Sequence, residues 1–123
     1  MSKKIGVLIV EDVEDMRNTF KDALSTLGCS FFEAEEGGKA LTLLKEETLD
    51  VILLDIGLPG MNGLEVLRKA MSAGVNLPPV IVITGEPSRY EKEASELGVC
   101  DYFEKDNLLA KKLREAVLRA ANL

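Results

Sequence analysis

Val51-Ile52-Leu53-Leu54-Asp55-Ile56-Gly57-Leu58-Pro59-Gly60-Met61-Asn62-Gly63 joins four consecutive aliphatic residues to an acid and then to a loop rich in glycine and proline. An apolar run without alternation suits a strand buried on both faces, as in the centre of a parallel sheet. Beyond the loop, which runs from Asp55 to Asn62, Leu64, Leu67 and Met71 recur at helical spacing and are expected to face inward. Strand, loop and helix in that order make one β-α unit, and the same unit recurs along the rest of the chain.

Residues 5–10 form the first predicted strand. Met16, Phe20, Leu24 and Leu27 then make the apolar stripe of a helix that Gly28 closes. A weaker strand is expected over residues 30–34, and a short helix over 38–46 with Leu41 and Leu44 inward. Val80, Ile81, Val82 and Ile83 lie in a strand over 79–84, followed by a helix that Ser88 caps, that bears Tyr90, Ala94 and Leu97, and that Gly98 ends. Residues 101–103 give a short fifth strand. Asp106 is placed as N-cap of a last helix with Leu109, Leu113, Val117 and Ala120 inward and Lys111, Lys112, Arg114 and Arg119 in solvent. Five such units predict an α/β chain with a doubly wound (βα)5 five-stranded parallel sheet. Residues 1–123 are expected to form one domain, either a single-domain protein or a domain cut from a longer one, and its site to lie beyond the carboxyl ends of the strands.

Composition narrows the chemistry. The 123 residues carry 15 Lys+Arg against 21 Asp+Glu, a formal charge of −6, with no histidine and no tryptophan. His-based triads, His-ligated zinc and an internal phosphohistidine are thereby excluded. An acidic chain with few aromatics argues against direct nucleic-acid binding. Cys29 and Cys100 stand 71 positions apart without a CxxC motif or a signal peptide, which suggests reduced, packed thiols in a cytoplasmic protein. The longest apolar runs fall far short of the roughly 20 residues that span a bilayer, so no membrane association is expected.

The residues at the strand ends carry the functional signal: Glu11 and Asp12 after the first strand, Asp55 after the third, Thr84 closing the fourth and Lys105 after the fifth. Carboxylates brought together repel one another unless a cation neutralises them. Mg²⁺ is held by one or two carboxylates plus phosphate oxygens, so this edge reads as a magnesium-assisted phosphoryl site. An Asp can serve as the nucleophile, Lys105 can offset charge on the transferring group, and Thr84 can donate to one of its oxygens.

With its Asp55-Ile-Gly-Leu-Pro-Gly-Met-Asn-Gly63 loop and the acidic pair Glu11 and Asp12, the whole chain resembles a receiver domain of bacterial two-component response regulators, of the single-domain, chemotaxis-regulator-like type. The resemblance implies a flavodoxin-like strand order 2-1-3-4-5. It also implies that Asp55 accepts a phosphoryl group from a sensor histidine kinase or a histidine phosphotransfer protein. Asp12 and Asp55 would bind Mg²⁺ (or Mn²⁺) directly, the Gly57 carbonyl as a backbone ligand and Glu11 through water. Thr84 and Lys105 would take the phosphoryl oxygens, and Tyr102 would be the switch aromatic on a face built from the fourth helix, fifth strand and fifth helix. That face would control a downstream protein or output domain. Gly57 and Glu86 occupy the two positions that modulate phosphoryl lifetime in the family.

The resemblance is incomplete at one point: Asp106 follows Lys105 where many receivers have proline, often after a cis bond. Without proline a cis bond costs about 2.5–4 kcal/mol, so a trans bond is expected. Two other readings compete. A receiver-like binding module that never carries phosphate would follow if this junction disabled the site. A phosphohydrolase of the haloacid dehalogenase type also uses a nucleophilic Asp. It requires a second acid two residues on, where this chain has Gly57, and it places its nucleophile on the first strand.

Overall fold

A computed structural model describes residues 4–106 and 109–122. Strands and helices alternate in the order β1 (Ile5–Val10), α1 (Glu14–Ala23), β2 (Cys29–Ala34), α2 (Gly37–Glu46), β3 (Val51–Asp55), α3 (Gly63–Ser72), β4 (Val80–Thr84), α4 (Pro87–Glu96), β5 (Asp101–Glu104) and α5 (Leu109–Ala121). All four strand pairings are parallel and the sheet order is β2-β1-β3-β4-β5, as expected for the doubly wound fold.

The unbroken apolar runs become the three inner strands, with every residue of β3 and β4 buried. Successive side chains point to opposite faces. Leu8, Val10, Ile52, Leu54, Val80 and Val82 therefore meet α2, α3 and α4 on one side of the sheet. Val7, Ile9, Val51, Leu53, Ile81 and Ile83 meet α1 and α5 on the other. The edge strands β2 and β5 are only half-buried. Among the described residues no helix is long and apolar enough to cross a membrane.

Several local expectations are corrected. Helix α1 ends at Ala23, so Leu24 and Leu27 continue the apolar surface from turns: Ser25 and Leu27 donate to carbonyls three residues back, and Gly28 (φ 71°) reverses the chain. Ser88 is not the cap of α4. The helix starts one residue earlier at Pro87, whose fixed φ and missing N–H suit the first helical position. Met71 is 43% exposed, because the inward step from Leu67 falls three residues on, at Ala70. Cys29 is half-buried but Cys100 is exposed, so the second thiol is not packed, and the two are unbridged. The cap expected of Asp106 falls at residues 107–108, outside the described residues, although the Leu109 N–H does reach the Asp106 carbonyl at 3.2 Å. The peptide bond between Lys105 and Asp106 is trans, as expected.

Two devices set the edge of the sheet. Gly63 opens α3 hard against the end of β3: a Cβ there would sit 2.5 Å from the Asp55 carbonyl oxygen and 3.0 Å from the Ile56 Cα. On the other face, Glu33 of β2 receives Arg17 Nε at 3.0 Å and Lys21 Nζ at 3.1 Å, strapping α1 to the edge strand. Burial alone pushes the Glu33 carboxyl up, but its bonds to Lys21 and Arg17 outweigh burial and hold it below its ordinary value.

Gly63→Ala is expected to cost roughly 1–3 kcal/mol because backbone atoms must move; an unchanged denaturation midpoint would contradict that close approach. Glu33→Gln is expected to lose under about 1 kcal/mol at pH 7, the ion pairs being partly screened by water. Since the folded-state pKa is depressed, the difference between wild type and Glu33→Gln is present above the ordinary carboxylate range and shrinks as the pH falls through the lowered value. Denaturant titrations of both proteins at neutral and acid pH check this.

Candidate functional site

The sheet order places the reversal of winding between β1 and β3, and the strand register brings the chemical residues to that point. Val10 pairs with Leu54, Asp55 with Ile83 and Thr84 with Glu104. Glu11, Asp55, Thr84 and Lys105 are thus each at or one step beyond a paired strand end. The carboxyl ends of parallel strands leave their last groups facing a crevice, and this crevice is lined with acids.

Glu11 is fully buried, Asp55 is 6% exposed and Asp12 is exposed. One carboxylate oxygen from each lies within 4.8 Å of the others. Lys105 answers part of this charge, with Nζ 3.0 Å from Glu11 Oε1 and 3.3 Å from Asp55 Oδ2. Its own main chain is anchored by donation to the Thr84 carbonyl at 3.0 Å. Burial alone would lower the Lys105 ammonium, yet the Glu11 and Asp55 carboxylates outweigh it and raise its pKa. Glu11 is pushed up to about 7, chiefly by burial, then by hydrogen bonding to Asp55 and Asp12 that favours its protonated form and by the Asp55 charge; Lys105 works against the shift.

Each remaining site residue has a definite place. Asp55 Oδ1 accepts the Gly57 N–H at 3.2 Å, and a Cβ at Gly57 would lie 3.9 Å from that same oxygen, in ordinary contact, so the glycine leaves Asp55 Oδ1 without a side chain against it. Thr84 Oγ1 is buried and accepts the Glu86 N–H at 3.0 Å, leaving its own hydrogen to donate. The Glu86 carboxylate is engaged by Arg89 at 3.3 Å. Tyr102 stands apart from the acids: it is half-buried, and its hydroxyl donates to the Pro87 carbonyl at the start of α4.

An oxygen-only set of three carboxylates, without thiolate or imidazole, fits a hard divalent cation such as Mg²⁺ or Mn²⁺. One ammonium against three acids leaves the pocket short of positive charge, which a cation would supply. Sequence reasoning missed Arg17. Its guanidinium reaches the Glu11 carbonyl at 2.8 Å as well as Glu33, and a basic residue one turn into a helix carries no local signal of that role.

Residues 7–118 match the family model of the response regulator receiver domain. The chain is 34% identical over 102 residues to the response regulator MprA of Mycolicibacterium vanbaalenii, covering 82% of this chain and 44% of that protein. It is 34% identical over 118 residues to the aerobic respiration control protein ArcA of Escherichia coli, covering 95% and 47% respectively. The chain therefore spans about half the length of these relatives. Among solved structures, the response regulator TrrA from Thermotoga maritima, in complex with Mg²⁺-BeF, superposes with a TM-score of 0.80 at 28% identity, covering 94% of this chain and 98% of that one. A parallel sheet with an acid-lined crevice at its winding reversal, together with these matches, establishes that the chain belongs to the receiver domain family of two-component response regulators.

Proposed function

We propose that this chain is a single receiver domain that takes a phosphoryl group onto Asp55 and uses it to switch a distant face. The observation that carries this reading is Asp55 itself: a nearly buried carboxylate at a strand end, paired with Lys105 and gathered with two further acids. The relative crystallised with Mg²⁺-BeF supports the same chemistry.

In the proposed reaction an Asp55 oxygen attacks the phosphorus of a phosphohistidine on a sensor kinase or a histidine phosphotransfer protein. The new P–O bond forms as the P–N bond breaks, and its electron pair returns to the imidazole. Asp12, Asp55 and the Gly57 carbonyl would hold Mg²⁺ (or Mn²⁺), with Glu11, one of whose oxygens is engaged by Lys105, in contact through water. The ion would supply positive charge to the phosphoryl oxygens and to the acid cluster. Lys105 would turn from the carboxylates to a phosphoryl oxygen, and Thr84 would donate its free hydrogen to another.

The acyl phosphate adds about one or more units of negative charge and new acceptor oxygens. Redirecting Thr84 and Lys105 pulls on adjacent strand ends, since the Lys105 N–H is bonded to the Thr84 carbonyl. Tyr102, whose hydroxyl bonds the first residue of α4, would carry that change to the surface made by α4, β5 and α5. That surface would bind a downstream protein or an output domain rather than nucleic acid directly. The protein would catalyse no more than its own phosphorylation and dephosphorylation, in the cytoplasm. The bond before Asp106 is trans and Lys105 contacts both Glu11 and Asp55, which supports a phosphoryl site over a phosphate-independent module.

Incubation with acetyl phosphate and Mg²⁺ is expected to add one phosphoryl mass to the intact protein, and to add none with chelator or in Asp55→Asn. A gain that survives Asp55→Asn would move the acceptor elsewhere. Asp12→Asn is expected to change the stability of the metal-free protein by less than about 1 kcal/mol, because Asp12 is exposed. It is also expected to remove most of the stabilisation that added Mg²⁺ gives the wild type. Denaturant curves with and without Mg²⁺ test both halves, and a variant that still gains fully from Mg²⁺ would exclude Asp12 as a ligand.

A further inference from the structure

The loop bearing Glu11 and Asp12 leads into α1 without a side-chain cap, and Val13 at its end is 48% exposed. Within the loop the Val13 N–H donates to Glu11 Oε2 at a long 3.5 Å, and the Glu11 main chain is tied to β2. The Glu11 N–H donates to the Ala34 carbonyl at 3.0 Å, and the Glu11 carbonyl accepts Arg17 Nη1 at 2.8 Å. Arg17, with a side chain only 13% exposed, is in turn held through Nε by Glu33 Oε1 at 3.0 Å. Both polar groups of the Glu11 main chain therefore end on consecutive residues of one strand, directly on Ala34 and through a guanidinium on Glu33. A planar fork fixes direction as well as distance, which a lysine ammonium would not.

Lys21 provides a contrast within the same strap. It pairs with the other oxygen of Glu33 at 3.1 Å and makes no described bond to Glu11. It shares the charge neutralisation of Glu33 without touching the loop.

We infer that Arg17, held by Glu33, is the positioning residue of the acid pocket: it fixes the Glu11 main chain so that the carboxylates of Glu11 and Asp12 stay gathered with Asp55 before a cation arrives. This rests on the reading above that the three acids hold Mg²⁺. Partners outside the ligand shell that orient a ligand commonly change metal affinity by about 10–100-fold when removed, so the effect is measurable without any phosphodonor.

Calorimetric titration of Mg²⁺ into the full chain tests it, with folded state checked by circular dichroism. Arg17→Gln is expected to bind Mg²⁺ about 10-fold more weakly or worse, and Glu33→Ala to weaken binding in the same direction. Because the two act through one bond, the double variant should be no weaker than Arg17→Gln within about twofold. Lys21→Gln should lose stability through Glu33 yet stay within about twofold of wild-type affinity, which a merely structural strap would not allow. Should Arg17→Gln fail to fold, Glu33→Ala and Lys21→Gln carry the comparison. Wild-type affinity in folded Arg17→Gln, or equal losses in Glu33→Ala and Lys21→Gln, would overturn the inference. A wild-type protein that takes no Mg²⁺ would instead overturn the metal reading on which it rests.

Discussion

The ammonium of Lys105 stands between Glu11 and Asp55, and the organisation of the strand ends depends on the charge it answers. Three carboxylates in so small a space, two of them buried, would oppose folding if each carried an unanswered charge. The protein relieves them incompletely. Lys105 neutralises one charge, and burial together with the neighbouring acids pushes the Glu11 pKa up to about 7. The remaining negative charge is what a bound divalent cation would answer under the proposed function, and a site left short of positive charge suits a switch driven by a charged group. A better-compensated pocket would be more stable and less responsive.

The parallel sheet makes such a cluster possible. Strands that all point one way deliver their last residues to one edge, and a winding reversal between β1 and β3 leaves that edge uncovered. Inner strands buried on both faces leave little freedom in register, because a one-residue slip would invert every side chain. The positions of Glu11, Asp55 and Thr84 are therefore as firm as the core, while Lys105, which follows the half-buried edge strand β5, is held by its main-chain bond to the Thr84 carbonyl. The loops are held by other means: Gly63 lets α3 start against the Asp55 carbonyl, and the Arg17–Glu33 pair reaches the loop after β1.

This division explains what could be read from the chain alone. Runs such as Val51 to Leu54 state burial directly, so strand number, and the acids and lysine that follow the strands, were legible and fall where expected. Helix limits were less so. The stripe from Met16 to Leu27 keeps its spacing through turns that are no longer helix, and Pro87 rather than Ser88 opens α4. Met71 and Ala70 differ by a single step of rotation, which apolarity alone misjudged in favour of the larger side chain. The Arg17–Glu33 link joins a helix face to an edge strand 16 positions away, and the dual contact of Lys105 spans 94 positions to Glu11. Contacts of that kind exist only after the sheet has formed and leave no periodic trace.

Under the proposed function the acid pocket accepts a phosphoryl group at Asp55, and the resulting change reaches the surface around Tyr102. The most direct measurement is an amide NMR spectrum of the full chain recorded before and after adding beryllofluoride with Mg²⁺. The account predicts shifts at Asp55, Gly57, Thr84 and Lys105 that continue through Tyr102 into α4. A spectrum unchanged by beryllofluoride, or one changed only around residues 11–12 and 55, would contradict it.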